Sequence, residues 1–183
     1  MNAKVLVVAL VVFVTLASCA PANEVTNEYD LNYKEGLEFY ESRDFYKAIA
    51  SLSKAINLQP ESMSAYLLRG KAYRHVYEYE KALQDIDKVL ELDPNNYDAH
   101  VLRGTVFFNT KKYEEAINEY TIALELSKEN KEALLYRGFT YSAIEEYHMA
   151  IYDFQQYLIF VPDSPDRARI EAMIESLESK IEK

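Results

Sequence analysis

The segment Met63 to Pro94, MSAYLLRGKAYRHVYEYEKALQDIDKVLELDP, recurs along the chain every 34 residues. One period later it reads YDAHVLRGTVFFNTKKYEEAINEYTIALELSK, and one later still KEALLYRGFTYSAIEEYHMAIYDFQQYLIFVP. One period earlier it reads YDLNYKEGLEFYESRDFYKAIASLSKAINLQP. The only glycines, Gly36, Gly70, Gly104 and Gly138, hold this spacing, as do Ala48, Ala82, Ala116 and Ala150. Two sets of aromatics do the same: Phe39, Tyr73, Phe107 and Tyr141, then Phe45, Tyr79, Tyr113 and Tyr147. Pro60, Pro94 and Pro162 close three units, and Lys128 stands in that place in the third. A fixed period of this length predicts one supersecondary unit stacked on copies of itself.

Within each unit, apolar residues return at steps of three and four through two segments, which is helical periodicity. With Tyr29, Met63, Tyr97 and Lys131 as position 1, the first helix is expected over positions 1–14 and the second over 15–30. A short polar turn such as Ser42-Arg43-Asp44 or Asn109-Thr110-Lys111 separates them. Gly at position 8 lies inside the first helix, where it costs about 1 kcal/mol relative to alanine. Four such placements need a packing reason, and close approach of the second helix, with Ala at position 20 facing the glycine, supplies one. Pro at position 32 then stops the second helix.

This pattern resembles the tetratricopeptide repeat family, which pairs antiparallel helices at a 34-residue period. The matching residues are Tyr66, Gly70, Tyr73, Ala82, Ile86 and Pro94 in the second unit. In the fourth they are Leu134, Gly138, Tyr141, Ala150, Phe154 and Pro162. The resemblance implies an all-α right-handed superhelix of four repeats, 29–62, 63–96, 97–130 and 131–164. A capping helix over 165–183 follows, its stripe formed by Ile170, Met173, Ile174, Leu177 and Ile181. No unit has the family's frequent Trp at position 4. At position 7, often leucine, stand Arg69, Arg103, Arg137 and Glu35. That arginine ladder reads either as structural, with heads paired to carboxylates on neighbouring helices, or as a ligand-binding row.

In the family, positions 2, 5, 6, 9, 12 and 13 look into the concave face. Here they include Tyr33, Leu37, Tyr40, Leu67, Leu68, Lys71, Val101, Leu102, Phe108, Leu135, Tyr136 and Phe139. This set predicts an apolar, aromatic groove for a protein or peptide, with Asp30, Asp98 and Glu132 as an acidic edge. The other reading is self-association, as a homodimer, or filling by the chain itself. The carboxylate clamp of chaperone-binding family members is missing, because Tyr33, Leu37, Leu68, Asp98 and Leu102 occupy its places.

The first residues are a processing segment and not fold. Lys4 precedes the apolar run Val5 to Thr15, which is short for a membrane span. Leu16-Ala17-Ser18-Cys19 then resembles the lipobox of bacterial lipoproteins, and the chain's single cysteine completes it. The resemblance implies removal of 1–18, a diacylglycerol thioether on Cys19, and stable membrane anchoring through two or more acyl chains. An ordinary secretory signal with an incidental cysteine is the alternative. Ala20 after the cysteine implies the outer membrane if the organism has two. Residues 19–28 read as the lipidated cysteine and a tether, reaching about 30 Å if extended.

The chain carries 20 basic and 30 acidic side chains. A net charge of −10 argues against nucleic acid as partner. His75, His100 and His148 fall at different repeat positions, so no relay or metal site is expected, and His100 reads as a core histidine. No cofactor and no enzymatic activity are expected. Together these features predict a membrane-anchored scaffold that holds an envelope protein, with a self-assembling lipoprotein as the alternative.

Overall fold

The structure, a computed structural model, describes residues 22–182. Cys19 and the rest of the lipobox lie outside them. Among the described residues there are nine helices and no strands. They are α1 (Ala22–Glu41), α2 (Phe45–Leu58), α3 (Met63–His75), α4 (Tyr79–Leu92), α5 (Tyr97–Asn109), α6 (Tyr113–Leu126), α7 (Lys131–Ala143), α8 (Tyr147–Phe160) and α9 (Arg167–Ile181). None of these is long and apolar enough to cross a membrane. Each helix packs on the next in sequence, and the odd-numbered helices α1, α3, α5 and α7 touch their next odd neighbours along one face. The result is a stack of antiparallel pairs.

The turns repeat as closely as the helices. Arg43, Tyr77, Lys111 and Glu145, all at position 15, adopt left-handed backbone with φ of 62–66°. The following amides of Asp44, Glu78, Lys112 and Glu146 bond back to the carbonyls of Phe39, Tyr73, Phe107 and Tyr141 at 2.8–3.0 Å. This is the six-to-one closure of a Schellman motif, here made without glycine. It moves the start of the second helix from the expected position 15 to position 17. At the other turn, Ser62, Asn96 and Asn130 cap α3, α5 and α7 by accepting from the amides of Ala65, Ala99 and Ala133. The residue before position 32 is extended both where proline follows (Asp93, φ −142°) and where Lys128 does (Ser127, φ −143°). The turn therefore does not depend on the proline.

Helix α1 begins seven residues before the expected start, so 22–28 is helix and not an extended tether. No glycine or proline interrupts the chain between Ala22 and Gly36, and extending an existing helix avoids the cost of nucleation. At about 1.5 Å per residue a helical stretch reaches less than half as far as an extended one. At the other end, the turn through Pro165 and Asp166 delays α9 to Arg167. Ser164 caps this turn locally: its hydroxyl accepts from Asp166 N at 3.2 Å and lies 3.2 Å from Tyr157 Oη. Ile170, Ile174 and Leu177 then bury against Phe154, Tyr157 and Leu158. Thus α9 closes the end of the stack on α8, while Ile181 stays partly exposed.

The core is a string of clusters, each straddling a unit boundary; Leu68 and Ala72 of the second unit pack with Ala48 and Leu52 of the first. Two kinds of contact, both between residues sixteen apart in sequence, recur among the pairs. The first is at the glycine. A Cβ on Gly104 would lie 2.6 Å from Tyr120 Cε1, and one on Gly138 2.7 Å from Phe154 Cε1. The expected partner, Ala at position 20, faces the glycine only at Gly70, through the Ala82 carbonyl at 3.5 Å. Elsewhere the side chain at position 24 lies over it.

The second contact is the arginine ladder, and it is structural. Arg69 grips Asp85 through Nε and Nη2 at 2.8 and 2.6 Å, and Nη1 donates to Ser53 of the preceding unit at 2.9 Å. Arg137 repeats this on Asp153 and Thr121 at 2.8, 2.8 and 3.0 Å. Arg103 reaches Glu119 at 3.0 Å, and Glu119 also pairs with the buried His100 at 2.8 Å. In the first unit the polarity inverts, and Ser51 donates to Glu35 at 2.7 Å. Burial alone would lower the Arg69 and Arg137 pKa values; the facing carboxylates more than offset it and hold both guanidinium groups above their ordinary range.

Two outcomes follow for stability, read by urea unfolding. Gly104→Ala should destabilise by about 1–3 kcal/mol through overpacking against Tyr120, whereas Gly70→Ala, with 3.4 Å to its nearest neighbour, should be neutral or gain up to about 1 kcal/mol of helix propensity. Arg137→Met alone should cost about 3–5 kcal/mol by stranding buried Asp153, and Arg137→Met with Asp153→Leu should recover most of it.

Candidate functional site

The odd-numbered helices expose their concave side through a short set of positions. Tyr40 at the end of α1, Lys71 and Arg74 on α3, Asp98, Val101, Leu102 and Thr105 on α5, and Glu132 and Tyr136 on α7 enclose a pocket of about 220 Å³. No residue of α9 lines it. Every lining residue occupies position 2, 5, 6, 9 or 12 of its unit.

Five of the twelve residues expected in an apolar groove are here: Tyr40, Lys71, Val101, Leu102 and Tyr136. The other seven do not line this pocket and pack into the clusters between helices. Tyr33, Leu37 and Leu68 belong to the cluster around Ala48 and Leu52. Leu67 packs with Ile86 and Val89, Phe108 against the Tyr120 cluster, and Leu135 and Phe139 against Phe154. The apolar wall is therefore mostly the seam between helices, and the open surface has mixed chemistry. Arg74 and Thr105, absent from the expected set, lie at positions 12 and 9 of the same frame. Considering every residue at those positions, and not only the apolar ones, would have found them.

Arg74 Nε lies buried beneath this surface without a hydrogen-bond partner, and the hydroxyl of fully buried Tyr120, with Thr105 beside it, makes no well-formed hydrogen bond. The Tyr120 ring stacks beside Tyr136 at 6.2 Å between centroids. Burial, reinforced by Tyr136, drives the Tyr120 hydroxyl far above its ordinary pKa, so it is a neutral donor. Tyr40 is shifted the same way by burial, with Arg74 opposing. Arg74 spends one Nη on His75 Nε2 at 3.1 Å. Burial first, then Arg74 and Arg43, lowers the His75 pKa, which leaves that ring neutral and stacked on Phe45 at 4.4 Å.

The exposed apolar side chains lie elsewhere. Met149, Tyr152, Ile159 and Phe160 on α8 are 44%, 55%, 65% and 40% exposed. Among the described residues no three His, Cys, Asp or Glu side chains gather as a metal site.

The tetratricopeptide repeat profile matches residues 33–97 and 78–131. Comparison with curated proteins gives no match. Among solved structures, pilF of Pseudomonas aeruginosa is similar at a TM-score of 0.75 and 20% identity, over 87% of this chain and 71% of that one. The Arabidopsis OM64 TPR domain is similar at 0.62 and 24%, over 65% and 98%. The first TPR of Spaghetti (RPAP3), bound to the HSP90 peptide SRMEEVD, is similar at 0.61 and 23%, over 64% and 94%. These likenesses are of fold. The profile covers more than half of the sequence, and the chain belongs to the tetratricopeptide repeat family.

Proposed function

We propose that this protein is a lipid-anchored adaptor of a bacterial envelope, holding a segment of a partner protein in its concave pocket. The observation that carries the reading is a pocket walled by four successive repeats and left uncovered by the chain's own capping helix. Members of this family are protein-interaction scaffolds, and the similar repeat domain of Spaghetti holds a peptide. The Leu16-Ala17-Ser18-Cys19 box supports the anchor, and Ala20 supports an outer-membrane address where two membranes exist. The short reach left before α1 keeps the array near the bilayer.

A second reading, self-assembly, is favoured by α8. At positions 19, 22 and 29 the first three units carry Lys47, Lys81 and Glu115; Ala50, Gln84 and Asn118; Asn57, Glu91 and Glu125. The fourth alone carries Met149, Tyr152 and Ile159. In a chain of net charge −10, this uncharged apolar stripe is where two copies meet with least repulsion.

A photo-crosslinking residue at position 136 should capture a discrete partner in intact cells, and one at position 84 on the convex side should not. Cys19→Ala should release the protein from membranes and abolish the crosslink; equal capture from both positions would remove the concave reading. Light scattering separates the second reading. If α8 is a dimer seam, the full-length chain in detergent should dimerise and Met149→Glu with Ile159→Glu should return it to a monomer, with unchanged circular dichroism.

A further inference from the structure

Four charged side chains face the concave pocket, Lys71 and Arg74 half-buried and Asp98 and Glu132 exposed. Arg69, Arg103 and Arg137 are each matched to a carboxylate sixteen residues on. Lys71, Arg74, Asp98 and Glu132 line one pocket, yet among the described residues they form no ion pair, with each other or with anything else. The two signs are also segregated. Lys71 and Arg74 are three residues apart near the C-terminal end of α3. Asp98 and Glu132 occupy the first turns of α5 and α7. The helix dipoles favour this distribution, but they do not require all four charges to face one cavity.

The separation can be read from the repeat frame. Helices α3, α5 and α7 run in the same direction, so positions 9 and 12 lie seven to ten residues from position 2. At 1.5 Å per residue that is about 10–15 Å along the helix axes. A free amino acid or similar small zwitterion is too short to touch both ends. An extended polypeptide, advancing about 3.3 Å per residue, covers the distance in roughly three to five residues. Between the charged ends, Val101, Leu102, Tyr40 and Tyr136 offer apolar and ring surface. Buried below, Arg74 Nε has a donor unspent and the Tyr120 hydroxyl makes no well-formed hydrogen bond.

Resting on the adaptor reading, we propose that the pocket recognises a short extended segment of the partner with one acidic and one basic side chain about three to five residues apart. Lys71 and Arg74 hold the acidic side chain; Asp98 and Glu132 hold the basic one. The segment runs from the end of α3 toward the start of α7. The charge pairs set direction and register, because a reversed segment places like charges together at both ends.

A display library of random twelve-residue peptides tests this on the full-length chain in detergent. Wild type should enrich peptides with an acid and a base at the stated spacing. Lys71→Glu with Arg74→Glu should weaken those peptides by about tenfold or more in fluorescence anisotropy, and exchanging the peptide's acid for lysine should restore binding. Asp98→Lys with Glu132→Lys should respond reciprocally to an acid in place of the base. These side chains lie on the surface of an otherwise unchanged core, and circular dichroism verifies the fold of each variant. Enriched peptides with no charge requirement, or equal binding by both charge variants, overturn the proposal. If such peptides are still lost with Tyr136→Glu, the concave adaptor reading stands without it. If wild type enriches no peptide, both fall.

Discussion

Every pair in this molecule is set by contacts between residues sixteen apart, where the first helix of a unit turns its crowded side onto the second. In the third and fourth units position 8 must be almost empty there, because Tyr120 or Phe154 lies where a β-carbon would be. One residue earlier, in the second and fourth units, an arginine crosses the same seam to a carboxylate at position 23 and to a hydroxyl in the preceding unit. The glycine fixes how closely the helices approach, and the arginine fixes their register along and between units. A buried ion pair adds little net stability over an apolar replacement. Its worth here is positional, since the bidentate fork is satisfied in one alignment only. Stacking four such pairs with one register brings the odd-numbered helices into a single curved wall.

Much of this could be read in the sequence because repetition supplies internal controls. The unit length, the glycine placement and the helix pairs follow from counting. The partners of the arginine ladder were visible too: Asp85, Glu119 and Asp153 recur at one position, and where Glu35 replaces the arginine, Ser51 replaces the acid. The chemistry of the wall was less legible. Periodicity assigns a residue to a helix face, and positions 5 and 6 sit on the edge between the concave face and the seam with the next helix. Leu67, Leu68 and Leu135 are drawn into that seam by the hydrophobic effect, and the polar residues of the same frame remain in the open. The start of α1 was misread for a different reason. Residues 22–28 have no apolar stripe, but a helix already nucleated downstream needs none to extend.

The exception within the repeats is informative. Gly70 has room that Gly36, Gly104 and Gly138 lack, because β-branched Ile86 stands where the others have Leu52, Tyr120 and Phe154. Aromatic rings at position 24 in the third and fourth units fill the space under the concave surface. The Tyr120 hydroxyl is thereby carried beneath the pocket, buried and without a well-formed hydrogen bond. An unpaired buried hydroxyl costs about 1–3 kcal/mol, and phenylalanine, which the fourth unit uses at the same position, would avoid it. The fold therefore does not need that oxygen.

The same distinction separates the charges. Those that hold the stack are paired, buried and repeated; those that face the pocket are unpaired and differ from unit to unit, with Asp30, Ser64, Asp98 and Glu132 at position 2 and Leu37, Lys71, Thr105 and Phe139 at position 9. A stacking requirement acts equally on every unit and produces repetition. A single partner lying across the wall meets each unit at a different point along its own sequence, so it produces variation at the positions it touches. Variation at the concave positions, beside glycine and alanine positions that hold in all four units, is what binding one asymmetric polypeptide would impose on a repetitive scaffold.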